Sequence, residues 1–434
     1  MKKFFSTVLA AAMSLGVLAF APLRAEEKTE ITLWTYPIGA WSKAETVDQF
    51  LKNFNEVHPE IEVHVEYLDY KTGDDKVTSA IEAKTTPDLI FEGPERLVSN
   101  WGAKGLMLDL KDLWTEDAVK DVSAVSESVV NACKSSDGVF YEYPMVMTTH
   151  EMAINKEAFE KADALQYIDL ETHSWTTENF VKALEALKAS GQAQNLIVYC
   201  GGQGGDQGTR ALVTNLYSGQ FTDTEHTKYT ANSEQNVKAL KLLQELGEKG
   251  LVTFDTSAQA AEELQYFANG TVAMTLAWNA SNAANYAENI QFTALPMNFP
   301  SDDGKAELAG GIWGFGIFDK GDEKRAAAAK EFIKFMTQDP KQGAESVRAT
   351  GFFPVHKSLG DVYAEADKDL AERMATFASF LPNLGDYYNV TPAWVEQRTA
   401  WWNMLQSVGN GDDVEQAVKT YTETLDQAIA SVAK

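Results

Sequence analysis

The sequence predicts two α/β domains with largely parallel sheets and a cleft between them, on three observations. Short apolar strands alternate with amphipathic helices through most of the chain. Residues 26–434 alone number 409, too many for one ordinary core. No short-period repeat, low-complexity tract or long Gly/Ser linker separates two halves, so the chain is expected to cross between its domains several times.

Ile31–Trp34 reads as a strand, followed by a helix over Ala44–Val57 with Val47, Phe50, Leu51 and Phe54 on one face. His58-Pro59 stops that helix. Ile61, Val63 and Val65 alternate with Glu62, His64 and Glu66 as a half-buried strand. A helix near Lys76–Lys84 leads through Pro87-Asp88 to the buried strand Leu89–Phe91. Ile197–Tyr199, Val272–Leu276 and Phe315–Phe318 repeat the strand pattern, and Glu234–Lys249 and Ala326–Thr337 the helical one, the latter ending at Asp339-Pro340. The last hundred or so residues read as mostly helical and rich in aromatics.

The first 25 residues have the form of a cleavable export signal. Lys2 and Lys3 precede an apolar run from Phe4 to Ala21, and Leu23-Arg24-Ala25 leads into Glu26-Glu27. The run is marginal in length for a membrane anchor, so cleavage after Ala25 is expected. No cysteine stands near the cut to carry a lipid, which points to a soluble periplasmic protein. The formal net charge is −26, and −29 once the positive charges of Lys2, Lys3 and Arg24 are removed. Such a surface repels nucleic acid and anionic lipid, so neither is expected as a partner. Cys133 and Cys200 could form a disulfide or stand as two buried thiols, and the sequence leaves both open.

Catalytic signatures are thin. The six histidines show no zinc-type spacing and none neighbours a cysteine, so no metal and no cofactor is expected. No Gly-x-Ser-x-Gly elbow occurs. The glycine-rich stretch Gly201–Thr209 misses both the dinucleotide register and the P-loop lysine, and reads as a flexible turn whose amides could touch a ligand.

Aromatics say more. Ten tryptophans and fifteen tyrosines are present, and several fall where loops are expected: Trp34, Tyr36, Trp41, Trp278, Trp313, Phe352, Phe353, Tyr387, Tyr388 and Trp394. Any one of them is by default a core residue. As a group they suit a sugar, whose apolar ring face stacks on aromatic planes while carboxylates, amides and guanidiniums bind its hydroxyl rim. In Thr391–Arg398, Thr391 suits an N-cap and Pro392 a first helical turn, which sets Trp394 and Arg398 on one helix face. That pair is either a stacking plane with a forked donor at a cleft or a surface aromatic–arginine contact; spacing alone does not choose.

At this point the chain resembles the extracellular solute-binding proteins of sugar-uptake ABC transporters, the group that includes maltose-binding protein. The resemblance runs along essentially the whole chain after the leader. It rests on Ile31-Thr-Leu-Trp34, Phe54–Val63, Thr86-Pro-Asp-Leu-Ile-Phe91, Trp101–Leu110, Gly138–Pro144, Ala153–Lys156, Phe267–Met274, Gly310–Gly314 and Gly351–Val355, in family order and spacing. It implies the two-lobed periplasmic-binding-protein fold of type II, the venus-flytrap arrangement, with hinge crossings and a helical C-terminal region. Lobe 1 would hold residues 26–143 and about 275–335, and lobe 2 residues 144–274 and about 336–434.

The resemblance further implies a binder rather than an enzyme. It would be a monomer that captures a mono- or oligosaccharide and delivers it to a transmembrane permease. Trp278 and Trp394 match stacking tryptophans, Arg398 the arginine one turn later, and Glu95-Arg96 an acid–arginine pair. Trp34, Tyr36 and Trp41 cover the first binding loop, and Gly310, Gly311 and Trp313 a later landmark. Glu92 stands where the maltose-binding members have an aromatic, and Thr148 where they have a glutamate, which implies a ligand other than a maltodextrin. A binder of glycerol 3-phosphate or a glycerophosphodiester is the alternative, with Arg398, Arg210 and Lys43 as its candidate cations. A secreted glycoside hydrolase using Glu92 and Glu95 is a third reading.

Overall fold

The computed structural model describes residues 28–202, 205–224, 227–385 and 393–432. The expected signal peptide with its cleavage point, Tyr387, Tyr388 and the expected cap at Thr391-Pro392 lie outside the described residues.

Ten strands are described: β1 Thr29–Thr35, β2 Ile61–Tyr67, β3 Leu89–Glu92, β4 Tyr143–Asn155, β5 Ile197–Tyr199, β6 Thr253–Asp255, β7 Met274–Trp278, β8 Ala294–Met297, β9 Ala309–Ile317 and β10 Phe353–Pro354. In lobe 1 the order is β10-β4-β9-β3-β1-β2, with β2 and β3 both parallel to β1. β9 runs antiparallel to β3 and β4. In lobe 2, β5 and β6 are parallel, while β7 and β8 pair antiparallel with the far half of β4. The expectation of largely parallel sheets therefore holds for β1, β2, β3, β5 and β6 but fails for the strands that join the lobes. A chain that crosses out on β4 and returns on β9 must lay those two strands antiparallel.

β4 is the hinge in its simplest form, one strand shared by both lobes. It pairs with β9 up to His150 and with β7 from Glu151, with a register shift between Glu151 and Ala153. Met274–Met297 belongs with lobe 2 through β7 and β8. The helices Glu323–Gln338 and Pro340–Thr350 belong with lobe 1, packing on β1, β4, β9 and the Ala44–Val57 helix. A third passage after β10 takes the chain back to lobe 2, where helix Lys368–Ala378 packs on Ala280–Asn285.

The apolar spacing of the Ala44–Val57 helix buries Val47, Phe50 and Phe54 as expected. The Trp41 ring packs on Phe50 of that face and on Phe91 and Phe315. In lobe 2 the C-terminal helices Trp394–Gly409 and Val414–Val432 pack on Glu234–Glu248. Trp401 Nε1 donates to Thr209 Oγ1 at 3.0 Å, and Gln406 Nε2 to the Cys200 carbonyl at 2.6 Å, fastening the first of them to the cleft floor. Cys133 and Cys200 are separate buried thiols, which closes the disulfide alternative. Among the described residues, no helix is long and apolar enough to cross a membrane, and no cluster of three metal-ligating side chains occurs.

Candidate functional site

Between the lobes lies a cavity of about 590 Å³, within the size range of small-molecule sites. Lobe 1 lines it with Tyr70 from the loop after β2, Glu92 at the end of β3, Glu95 and Arg96 in the helical turn that follows, and with Gly310, Gly311, Trp313 and Phe352. Lobe 2 lines it with Asp206, Gly208, Gln259, Asn279, Trp394 and Arg398. His150, at the hinge, faces it as well.

The lobe 1 wall is an ion network. The Asp69 carboxylate caps the loop after β2, accepting from Lys71 N, Thr72 N and Thr72 Oγ1, and so starts the helix Gly73–Ala83. Asp74 sits in that helix's first turn, where a carboxylate is favoured. Gly73 is required there, because a Cβ would stand 2.7 Å from the Tyr36 ring. Asp74 accepts from Tyr36 Oη at 2.7 Å, from Arg96 Nε and Nη2 at 2.7 and 3.0 Å, and from Arg398 Nη1 at 2.8 Å. Arg96 Nη1 donates to Glu92 Oε1 at 2.6 Å, one turn before it in sequence. The Arg96 guanidinium lies over both Tyr36 and Tyr70, which stack on each other with centroids 5.1 Å apart.

Burial alone raises the Asp74 pKa, but Arg96, Arg398 and Tyr36 outweigh it and hold the carboxyl well below its ordinary range. Burial pushes Glu92 the other way, to about 7, against the pull of Arg96 and with repulsion from Glu95 and Asp74. Glu95 is raised by burial and partly restored by Arg210. Burial, helped by the charge of Arg210, lowers His150 to about 4, so its imidazole is neutral at pH 7.

The aromatic planes stand on opposite walls. On lobe 1, Trp313 and Phe352 stack at 5.0 Å with 14° between planes. On lobe 2, Trp394 lies 5.2 Å from the Arg210 guanidinium and 5.9 Å from that of Arg398. Its indole Nε1 is buried with no partner among the described residues. Arg210 forms a buried ion pair with Asp206 at 3.1 Å, one turn earlier on the helix side of the glycine-rich loop. That loop contributes Gly205 and Gly208 to the cavity wall, where the helix Gln207–Asn215 begins.

Of the residues expected from sequence, Glu92, Glu95, Gly310, Gly311, Trp313, Trp394 and Arg398 come together on this cavity. Trp394 and Arg398 are both buried in the interlobe wall, so the surface-pair alternative fails. Five expected residues do not reach the wall. Trp34 lies on β1 beneath Lys76. Tyr36 stands behind Tyr70 as a buttress for Asp74. Trp41 is in the lobe 1 core, its Nε1 bonded to the Ser346 carbonyl. Thr148 is buried within β4, its hydroxyl turned to the Thr149 carbonyl. Trp278 ends β7 and packs edge-on against Phe267. Gly311 has a tighter role than letting amides reach a ligand: a Cβ there would fall 1.7 Å from the Trp313 ring. Asp74, Tyr70, His150, Gln259 and Asn279 were not foreseen. Of these, only the helix-start position of Asp74 has a local sequence signal, in Asp69-x-x-Thr72 ahead of it.

A family model described as bacterial extracellular solute-binding protein matches residues 40–343. No curated protein matches the chain. Among solved structures, an ABC substrate-binding protein of Listeria monocytogenes in complex with cycloalternan is similar, with TM-score 0.73 and 21% identity, covering 93% of this chain and 99% of that one. The sugar-binding protein MalE of Xanthomonas citri gives 0.70 and 17%, over 93% and 98%. UgpB of Mycobacterium tuberculosis in complex with glycerophosphocholine gives 0.72 and 19%, over 93% and 99%. At these identities the likeness shows a shared two-lobed fold.

Proposed function

This chain belongs to the bacterial extracellular solute-binding protein family, and on that premise we propose that it captures a mono- or oligosaccharide in the interlobe cleft and delivers it to the membrane permease of an ABC importer. The observation that carries this reading is the pair of opposed aromatic walls, Trp313 with Phe352 against Trp394, around a rim of carboxylates and amides. Aromatic planes cover the apolar faces of a pyranose, and Glu92, Glu95, Gln259 and Asn279 bond its hydroxyls. A ligand touching both walls favours the closed arrangement, because it gains contacts the open one lacks. The protein acts as a monomeric, non-enzymatic periplasmic receptor after loss of residues 1–25.

Neighbours of this fold described as a cycloalternan complex, a cyclic alpha-maltosyl-1,6-maltose binding protein and a sugar-binding protein support the carbohydrate class. The glycerophosphocholine-bound neighbour keeps an anionic diester as the competing ligand. Here Arg96, Arg398 and Arg210 each already meet a carboxylate, and Lys43 does not line the cavity, which weighs against that ligand. A thermal-shift screen of the mature chain against neutral sugars, sugar acids and glycerophosphates tests the reading. A native-state ligand raises the midpoint in proportion to the logarithm of its concentration. Concentration-dependent shifts with neutral sugars are expected; shifts with phosphorylated compounds alone would overturn it.

A further inference from the structure

Asp74 accepts hydrogen bonds from arginines of both lobes. Arg96 comes to it from lobe 1 through two hydrogen bonds and Arg398 from lobe 2 through one, while Tyr36 supplies a fourth. The residues involved are almost fully buried, Asp74 at 7%, Arg96 at 6% and Arg398 at 4% exposure. Glu92, Glu95, Asp206, Arg96 and Arg398 line the cavity, and Asp74 and Arg210 stand behind them, ion-paired to Arg96 and Arg398 and to Asp206 respectively. Among the lining side chains, Lys71, Arg96 and Arg398 are outnumbered by the carboxyls of Asp69, Glu92, Glu95, Asp206 and Glu262.

We propose that Asp74 is the specificity-determining residue of the cleft, selecting uncharged ligands over anionic ones by holding Arg96 and Arg398 in ion pairs. This rests on the carbohydrate reading above. A phosphate or carboxylate entering the cleft needs a guanidinium, and drawing Arg398 away would break a buried charge pair, which is strongly unfavourable. It would also stand near Glu92 and Glu95, which already engage Arg96 and the field of Arg210. A neutral polyol disturbs no pair, since hydroxyls bond the remaining lone pairs and N–H groups of groups already neutralised. Discrimination thus comes as much from what the cleft withholds from an anion as from what it offers a sugar.

Asp74→Asn keeps the shape and removes the charge, leaving Arg398 without the carboxylate it bonds and with Asp206 as its remaining counter-charge. Titration calorimetry of wild type and Asp74→Asn uses glucose, maltose and maltotriose as neutral probes, and glucuronate, glycerol 3-phosphate and inorganic phosphate as anionic ones. We expect Asp74→Asn to bind at least one anionic probe tenfold or more tightly than wild type does. The double variant Asp74→Asn/Arg398→Gln loses that gain. A folded Asp74→Asn with wild-type affinity for all three anions overturns the inference. If the orphaned guanidinium prevents folding, inorganic phosphate must restore it better than an equal concentration of glucose; equal or no rescue is equally fatal. The gain is read on the variant itself, so it can be judged even if none of the sugars binds wild type. Wild-type binding of glycerol 3-phosphate alone would defeat both readings, whereas sugar binding without the variant's gain would defeat only this one.

Discussion

On the lobe 1 side of the cleft, Asp74, Arg96 and Glu92 meet opposite charges within hydrogen-bonding distance, braced by Tyr36 and Tyr70. On the lobe 2 side, Trp394 keeps a buried indole N–H without a partner among the described residues, and Arg398 finds its acid across the cleft. One wall is met mostly from its own lobe, with a single bond added by Arg398; the other is completed from outside. The difference separates two jobs, since a fixed network sets which chemistry is admitted, while an incomplete wall supplies the gain on closure.

Arg96→Ala gives the largest effect, and it falls on stability. It takes the guanidinium from buried Glu92 and two of the four hydrogen bonds from buried Asp74, so urea unfolding should show a loss of about 3–5 kcal/mol. A loss under 1 kcal/mol would mean the lobe 1 wall is not the fixed one. Trp394→Ala should act on binding instead. A central aromatic anchor is worth about 2 kcal/mol or more, so calorimetry with a sugar identified in the screen should show a drop of roughly 30-fold or greater. Unchanged affinity would remove Trp394 from the site and end the contrast.

The smallest effect concerns protons beneath each wall. Burial raises Glu263, in the lobe 2 helix Ala260–Ala268, to about 8, although Thr275 Oγ1 and Leu276 N donate to it. Its unfolded value lies near 4.5, so between those limits the native state holds more protons and stability falls as pH rises. Glu92 acts with the same sign up to about 7. His150 acts with the opposite sign between about 4 and 6.5, because there the unfolded chain binds the extra proton. Above pH 6.5 the carboxyls alone remain, and the thermal midpoint should decline towards pH 8. Glu263→Gln should flatten part of that decline, because burial raises Glu142 and Glu151 in the same sense; an unaltered slope would assign it to groups elsewhere.

Much of the fold was legible because the periodicity was local. Ala44–Val57 and Ile197–Tyr199 appear with the bounds their apolar spacing predicts. β9 was read only over its last residues, since Gly310, Gly311, Gly314 and Gly316 break the strand pattern; Gly311 is there to clear the Trp313 ring. The site was harder. Trp41, Trp278 and Trp394 look alike in sequence, yet two pack into cores and one faces the cleft, a distinction made by long-range packing. Asp74 lies 22 residues from Arg96 and 324 from Arg398, so no window of sequence contains the network.

The strand shared by both lobes also governs the order of assembly. Lobe 1 is not complete until β10 joins β4 at Phe353–Pro354. Lobe 2 waits for the two C-terminal helices that seat on it beyond residue 393. Neither half is a contiguous stretch that can fold as soon as it is made. Loop closures of this length make folding slow, and the native state is reached only when nearly the whole chain is free to collapse. A polypeptide wired in this way stays threadable through most of its synthesis.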